Sequence, residues 1–377
     1  MIENVVLTTE NCRYCLMCRH VAPVEQVTFR EALSPHGWAL VIASVRRGLM
    51  PWNEDTIDVL YSAADNGNSR AHCVTNQPLP EAIAAARAEV AGQGVAPAAA
   101  YQVNEALQQW GTAYKEQAPA TANGRGEVAL FAGDDACYLW PEALAAARRL
   151  LQAVGVEPAL IGIGRNNGYL ASSLGFPETA RRLAEATLAE LRHSGASRLL
   201  VLSPGDYFTL GQLYDERLGI EWPAGVELVE MTAYLAQQVD GGALRLRPAN
   251  VMPRMAAIRT SPTSPYAYVD PTLAVRVPGR HETPRRLLAA VLPEANRREL
   301  FWRCERAHPV GSTALQFTKP DIAQKLTEAR LQDALNSGAQ LLISEDPATL
   351  SHLARSASRY GLQVQGLYEL LAEHLEL

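Results

Sequence analysis

Leu183-Ala184-Glu185-Ala186-Thr187-Leu188, with Ser194-Gly195-Ala196 and Pro204 downstream, returns later in the chain as Leu326-Thr327-Glu328-Ala329-Arg330-Leu331, Ser337-Gly338-Ala339 and Pro347. The matched positions share one offset of 143 residues, from Glu185 to Glu328, Gly195 to Gly338 and Pro204 to Pro347. Further upstream, Arg148-Arg149-Leu150-Leu151 returns as Arg285-Arg286-Leu287-Leu288 at an offset of 137, which an insertion of a few residues explains. Matches held in register over such a distance mark a duplicated structural unit, here residues 127–245 and 256–377.

The first copy shows what that unit is. Val128-Ala129-Leu130-Phe131 reads as a buried strand, and a helix follows from Pro141 to about Val154. Then come a strand near Leu160-Ile161-Gly162-Ile163, a long helix from about Pro177 to His193, and the strand Arg198-Leu199-Leu200-Val201-Leu202. Strands alternating with helices specify an α/β sheet.

Ahead of the duplication, residues 1–96 form a separate unit that closes on the helix opened by Pro80-Glu81-Ala82, proline being favoured in a first helical turn. Residues 97–126 supply a second helix, from about Ala100 to Ala113, and the segment Gln117 to Gly124, which lacks apolar periodicity and reads as a linker. A chain of 377 residues, 48% hydrophobic and 20% charged, is long enough for two or three globular domains. Its net charge of −6 disfavours a nucleic-acid partner. The pairs Arg148-Arg149, Arg181-Arg182 and Arg285-Arg286 read as solvated helix faces. No apolar run approaches the roughly 20 residues that cross a bilayer, and Met1 to Thr9 is too short for a secretory signal. The expected location is the cytoplasm, or a membrane reached through a partner.

Four of the six cysteines lie in the first fifth of the chain, which points to metal and not to a disulfide framework. Cys12-x2-Cys15-x2-Cys18 is the run of bacterial ferredoxins, whose fourth cysteine follows after three residues and precedes a proline. Here that position is Ala22, with Pro23 kept. Counting back from Cys73 at the same spacing gives Ala63, Asn66 and Ser69. In two-cluster ferredoxins the fourth cysteine of each run binds the other run's cluster. Cys12, Cys15, Cys18 and Cys73 therefore make one complete ligand set, and Ala63, Asn66, Ser69 and Ala22 make one that is wholly lost. The expected cofactor is one [4Fe–4S] cluster. A zinc site assisted by His20 or His72, or plain thiols, are the alternatives.

With these residues in place, the chain resembles a family of iron–sulfur subunits found in anaerobic glycerol-3-phosphate dehydrogenase, glycolate oxidase and heterodisulfide reductase. Ala32-Leu33-Ser34-Pro35-His36-Gly37-Trp38-Ala39-Leu40 and Leu79-Pro80-Glu81-Ala82-Ile83 are similar to that family's ferredoxin-like domain, and the duplicated units are similar to its cysteine-rich domains. The resemblance implies a fold: α/β, with a helical ferredoxin-like N-terminal domain and duplicated CCG-like units. Those units normally carry Cys-Cys-Gly and Cys-Pro-x-Cys. This chain has Asn166-Asn167-Gly168 and Ser203-Pro204-Gly205-Asp206 in the first, and Asp346-Pro347-Ala348-Thr349 with a lone Gly311 after Ala307-His308-Pro309-Val310 in the second. The thiolates are gone while the turn-forming residues stay, which removes the case for disulfide chemistry at a second centre.

The remaining motifs carry weaker signals. Gly162-x-Gly164-x-x-x-Gly168 resembles a dinucleotide loop with its third glycine one residue late. Cys137 and Cys304 read as small buried hydrophobes. Asp134, Asp135, Asp206 and Asp346 fall at expected strand ends, where α/β proteins place their sites, although a solvated loop is the plainer reading. No phosphate loop, HExxH or GxSxG is present. The resemblance implies a single-cluster electron-transfer subunit in a hetero-oligomeric, flavin-linked complex. Its partners would be a flavoprotein dehydrogenase subunit or an electron-transfer flavoprotein, and a downstream acceptor. The alternatives are a scaffold, a redox-sensing subunit, or a catalytic oxidoreductase using Cys137 or the aspartates.

Overall fold

A computed structural model describes residues 8–116, 124–249 and 264–376. The linker reading of residues 117–124 falls almost wholly outside them.

Two four-stranded parallel sheets dominate the structure. The first contains β1 (Val128–Phe131), β2 (Ala159–Ile161), β3 (Arg198–Val201) and β4 (Glu227–Glu230), in the order β2-β1-β3-β4. The second contains β5 (Tyr266–Tyr268), β6 (Arg297–Arg298), β7 (Leu341–Ser344) and β8 (Gln363–Gly366), in the order β6-β5-β7-β8. In the first sheet Leu130 stands opposite Leu160 and Leu200, and in the second Ala267 stands opposite Arg298 and Leu342. Leu199-Leu200-Val201 and all of β7 are buried. Such unbroken apolar runs suit strands covered by helices on both faces.

The duplication is visible residue by residue. Helices Pro177–Ser194 and Pro320–Ser337 differ by the same 143 residues as β3 and β7. Each ends on a glycine in the left-handed region, Gly195 at φ 72° and Gly338 at φ 76°, where a side chain would be strained. Gly168 and Gly311 also correspond, at φ 95° and 91°. A Cβ on Gly168 would lie 2.8 Å from the Ala180 carbonyl oxygen, and one on Gly311 would lie 2.7 Å from Ala323 Cα. Both glycines therefore survive because the turn must press against the long helix. The second lobe's counterpart of Asn166-Asn167-Gly168 is Pro309-Val310-Gly311.

Helices Pro35–Arg46, Glu54–Tyr61, Leu79–Gly92 and Ala98–Trp110 build the N-terminal part. Ser34 caps the first by accepting from Gly37 N, and Asn53 with Thr56 forms a capping box at the second. This part shares a continuous apolar core with the first lobe, including Leu60, Ile83, Leu107, Leu174 and Leu183. Arg87, fully buried, crosses the seam and donates to the carbonyls of Leu60, Ala63 and Ser173. Arg276 of the second lobe reaches back to Asp65 (3.0 Å) and Glu81 (2.9 Å).

The arginine pair of the second copy departs from the solvated face expected of it. Arg286 is a solvated residue, but its neighbour Arg285 is only 3% exposed and pairs with buried Asp270 at 2.8 Å. The helix Glu282–Val291 has its inner stripe at Arg285, Leu287 and Leu288, so charge alone misplaced the residue. Among the described residues, no helix is long and apolar enough to cross a membrane.

Candidate functional site

Cys12, Cys15, Cys18 and Cys73 line one cavity of the helical part. Cys12 follows the turn Thr8–Asn11, Cys18 precedes the turn Arg19–Val21, and Cys73 lies just past the short helix Asn68–Ala71. Tyr14 and Leu16, on either side of Cys15, both hold left-handed backbone, at φ 49° and 62°. Non-glycine residues there cost on the order of 1 kcal/mol each and persist where surrounding structure demands them. The loop consequently curls so that it walls the cavity from Cys12 to Cys18. Cys15 is exposed and the other three are half-buried.

The thiols act on one another. Burial pushes Cys18 up to about 11, and neighbouring Cys12, then Cys73 and Cys15, add to the rise. Thiolates around one cavity repel, and a cationic core relieves that repulsion. Burial would raise Cys73 too, but the Thr75 hydroxyl and the N–H groups of Gln77, Thr75 and Asn76 bring it below the ordinary thiol value. His20 and His72 pack edge-on against each other, 5.5 Å between centroids, and neither lines the cavity. Among the described residues, Asp270, His281 and Cys304 are gathered within 4.8 Å of one another, and the four cysteines are not. A tetrahedral zinc ion with bonds of about 2.3 Å would draw four sulfurs to about 3.8 Å.

A second, narrower cavity adjoins the first. It is lined by Val21, Pro23, Trp38, Ala63, Asn66 and Ser69, among others. Ala22 and Ala63 are buried, the Trp38 indole donates to Ser62 Oγ (3.2 Å), and Asn66 Nδ2 has no hydrogen-bond partner. Where the second ligand set would stand, the structure places alanine, asparagine and serine around a small gap.

A polar cavity lies between the two lobes, at the C-terminal ends of their strands. It contains Asp134, Asp135, Asp206 and Asp346 together with Tyr114 and Gln316. The solvated-loop reading of these aspartates is therefore corrected: Asp134 is 3% exposed and Asp346 8%. Asp134 accepts from Thr112 (3.1 Å) and Asn166 (3.2 Å), Asp135 from the Tyr114 hydroxyl (2.7 Å), and Asp206 from Asn167 (2.8 Å). Ser203 and Asp346 are equivalent across the duplication, and each caps its helix by accepting the N–H three residues on. Helix capping explains why serine and aspartate suit positions where the resemblance would put cysteine.

These carboxyls face neutral donors. Burial pushes Asp134 well above the usual carboxylate range, reinforced by Asp135. Asp135 is pushed up to about 7 by burial and Asp346, and Asp206 to about 7 by burial and Asp135. Asp346 rises mainly through burial. Acids poised near neutrality can hold and exchange protons. The sequence pointed to these four residues but missed Thr112 and Tyr114, which the segment after the helix Ala98–Trp110 brings to the first lobe, and Gln316, which the apposition of the lobes brings in.

The remaining candidates separate clearly. In the glycine loop, Gly162 N donates to Glu190 (2.7 Å), so a carboxylate already takes the amide that a phosphate would need. Cys137 is half-buried and donates to the Ala132 carbonyl at 2.9 Å. Cys304 stands with Asp270 and His281, two residues that sequence reasoning did not single out.

No family model matches the chain. It is similar to a protein of the dihydromethanophenazine:CoB–CoM heterodisulfide reductase of Methanosarcina barkeri, at 25% identity over 266 residues, which cover 67% of this chain and 60% of that protein. The counterpart from Methanosarcina acetivorans is 23% identical over 265 residues, with the same coverages. Both relatives are reductase subunits. The chain spans less than two thirds of the length of these curated relatives. Among solved structures it shares its fold with a hypothetical protein from Helicobacter pylori, with a TM-score of 0.64 over 95% of this chain and 71% of that one, at 10% identity.

Proposed function

We propose that this chain is an electron-transfer subunit of a multi-subunit reductase or dehydrogenase complex, with one [4Fe–4S] cluster held by Cys12, Cys15, Cys18 and Cys73. The observation that carries the reading is the pair of cavities in the helical part, one walled by four thiols and its neighbour by none. The similarity to a heterodisulfide reductase component supports the assignment to a reductase assembly. The donor set is all sulfur, and the run Cys12-x2-Cys15-x2-Cys18 with a distant fourth cysteine fits a cubane cluster better than the paired CxxC pattern of a four-cysteine zinc site. Residues 1–96 would be the cluster-bearing, ferredoxin-like domain, and residues 127–245 and 256–377 the degenerate CCG-like units.

When bound, such a cluster takes up and releases one electron at a time. The chain's own residues hold it, tune it and present it. Cys73 is supplied with hydrogen bonds that favour its thiolate form, and hydrogen bonds to ligand sulfur also set the reduction potential. Exposed Cys15 brings the ligand shell to the surface, ringed by exposed Tyr14, Leu16, Met17 and Val74. An apolar rim of this kind fits a partner protein. The partner would be a flavoprotein subunit or electron-transfer flavoprotein, with a second protein or small carrier as acceptor.

Iron and sulfide counting after anaerobic purification, with electron paramagnetic resonance after reduction, tests the reading. One cubane per chain and one reducible centre are expected. Twice that iron content would contradict the erased second site, and zinc in place of iron would overturn the proposal. A second reading, a redox-sensing or scaffolding role, draws on the bond from Asn68 Nδ2 to the Ala307 carbonyl (3.0 Å), which ties the Cys73 segment to the second lobe. Undiminished turnover of the complex with a non-reducible cluster would favour it.

A further inference from the structure

Asp270, His281 and Cys304 come from three separate places in the second lobe. Asp270 follows β5, His281 immediately precedes the helix Glu282–Val291, and Cys304 opens the turn Cys304–Arg306. One donor atom from each lies within 4.8 Å of the other two. Asp270 and His281 are almost fully buried, and Cys304 is partly so.

Three further features point to a ligand here. His281 Nδ1 is buried and completes no hydrogen bond, although it stands 3.4 Å from Asp270 Oδ1. A spacing of 3.4 Å is already what two donors on one tetrahedral ion adopt, given bonds of about 2.0–2.2 Å to nitrogen and oxygen. Cys304 holds left-handed backbone, at φ 55°, a strained state for a residue with a side chain. Arg285 braces the arrangement by donating to both Asp270 oxygens (3.1 and 2.8 Å) and to the His281 carbonyl (2.9 Å), while Cys304 N donates to Asp270 Oδ2 (3.1 Å). Outer partners that fix the direction of ligating side chains are typical of metal sites.

We propose that Asp270, His281 and Cys304 form a site for one zinc-class divalent ion. Thiolate, imidazole and carboxylate together suit zinc or cobalt, and are too soft a set for magnesium or calcium. The fourth position falls to water, and Glu305, whose carboxylate is 3.6 Å from His281 Nε2, would hold the imidazole through its other nitrogen. Charge balances: two ligand anions and Glu299, 3.5 Å from Arg285 Nε, offset the ion and the guanidinium. The ion would fix the turn Cys304–Arg306 just before Ala307, the residue that accepts from Asn68. It would thereby steady the contact between the second lobe and the segment leading to Cys73. The site is independent of the iron–sulfur reading.

The test uses the full chain as purified anaerobically, with iron recorded alongside zinc. One zinc per chain is expected, or, if the chain is isolated without it, saturable uptake of one cobalt(II) with thiolate-to-cobalt absorption. Cys304→Ser and His281→Gln should each lose the ion, with iron unchanged. Retention of the ion in Cys304→Ser, or absence of both zinc and cobalt uptake in the parent chain, overturns the proposal. Loss of the ion in Cys73→Ala but not in Cys304→Ser also overturns it, and separately counts against iron in the four-cysteine cage. Should both second-lobe variants misfold, alkylation of Cys304 in the parent chain decides. Slower alkylation with one equivalent of zinc supports the site, and an unchanged rate sinks it.

Discussion

The four-cysteine cavity and the interlobe cavity each crowd four acidic groups, and they handle the resulting repulsion in opposite ways. Three of the thiols stand on a loop with two left-handed residues, and the fourth, Cys73, is the one around which hydroxyl and N–H donors collect. The carboxyls sit between the lobes, hydrogen-bonded to Thr112, Tyr114, Asn166 and Asn167. Neutral donors can stabilise a protonated or shared carboxyl, whereas crowded thiols are best held by a cationic core. One cavity gathers its acids with few donors from the chain, and the other supplies its acids with neutral donors of its own.

The largest effect should come from breaking the first arrangement. Cys73→Ala should abolish the iron–sulfur centre, because the only other cysteines are Cys137 and Cys304, and neither lines the cavity. Iron counting checks it, and near-normal iron in the variant would refute the ligand set. Cys137→Ala should leave iron content unchanged.

Next in size is Glu81→Gln, which gives the opposite case to the interlobe acids. Burial would raise Glu81, but Arg276, Arg217 and Arg70 bring it down to about 2. A carboxylate depressed in this way stabilises the fold above its unfolded value near 4.5, and that contribution disappears as pH falls toward 2. The amide leaves a buried guanidinium short of a partner, so a loss of about 3 kcal/mol near pH 7 is expected. Denaturant unfolding at pH 7 and pH 3 should show the difference shrinking at the lower pH.

Asp206→Asn should act with the reverse sign. A carboxyl raised to about 7 favours the fold while it keeps its proton, and that advantage is lost as pH climbs from the unfolded value near 4 through 7. The amide cannot ionise, so the variant should gain about 1–2 kcal/mol over the parent at pH 8 and little at pH 4. Equal stabilities at pH 8 would mean that the interlobe carboxyls are already screened.

Much of this was legible in the sequence, for physical reasons that differ by region. Apolar runs bounded by glycine and proline located β1, β3 and their helices, since buried parallel strands leave an unbroken signal. The gathering of Cys12, Cys15, Cys18 and Cys73 around one cavity was foreshadowed by their spacing, because ferredoxin-type spacing is a local constraint repeated across two runs. Arg285 was misread because one exposed and one inward arginine look alike until the helix phase is known. Asp270, His281 and Cys304 could not be grouped at all: the contacts that unite them are set by the β5 register and by a turn more than twenty residues beyond the imidazole. The interlobe cavity needs both copies facing each other, which no single copy encodes.

The smallest expected effect tests how finely the thiol cavity is tuned. Thr75 Oγ1 lies 3.4 Å from Cys73 Sγ and stands among the groups that lower the Cys73 thiol. With Cys73 as thiolate, the hydroxyl is the donor, and its bond strengthens as negative charge on the sulfur grows. Reduction of a bound cluster adds such charge, so the bond favours the reduced form. Thr75→Val keeps the side-chain shape and removes the donor. A hydrogen bond worth about 0.5–1 kcal/mol more in one oxidation state corresponds to roughly 20–40 mV for a one-electron couple. The midpoint potential of the variant should therefore fall by that amount while its iron content stays at the parent value. An unchanged potential would leave the backbone N–H groups of Thr75, Asn76 and Gln77 as the donors that set the electronic environment of Cys73.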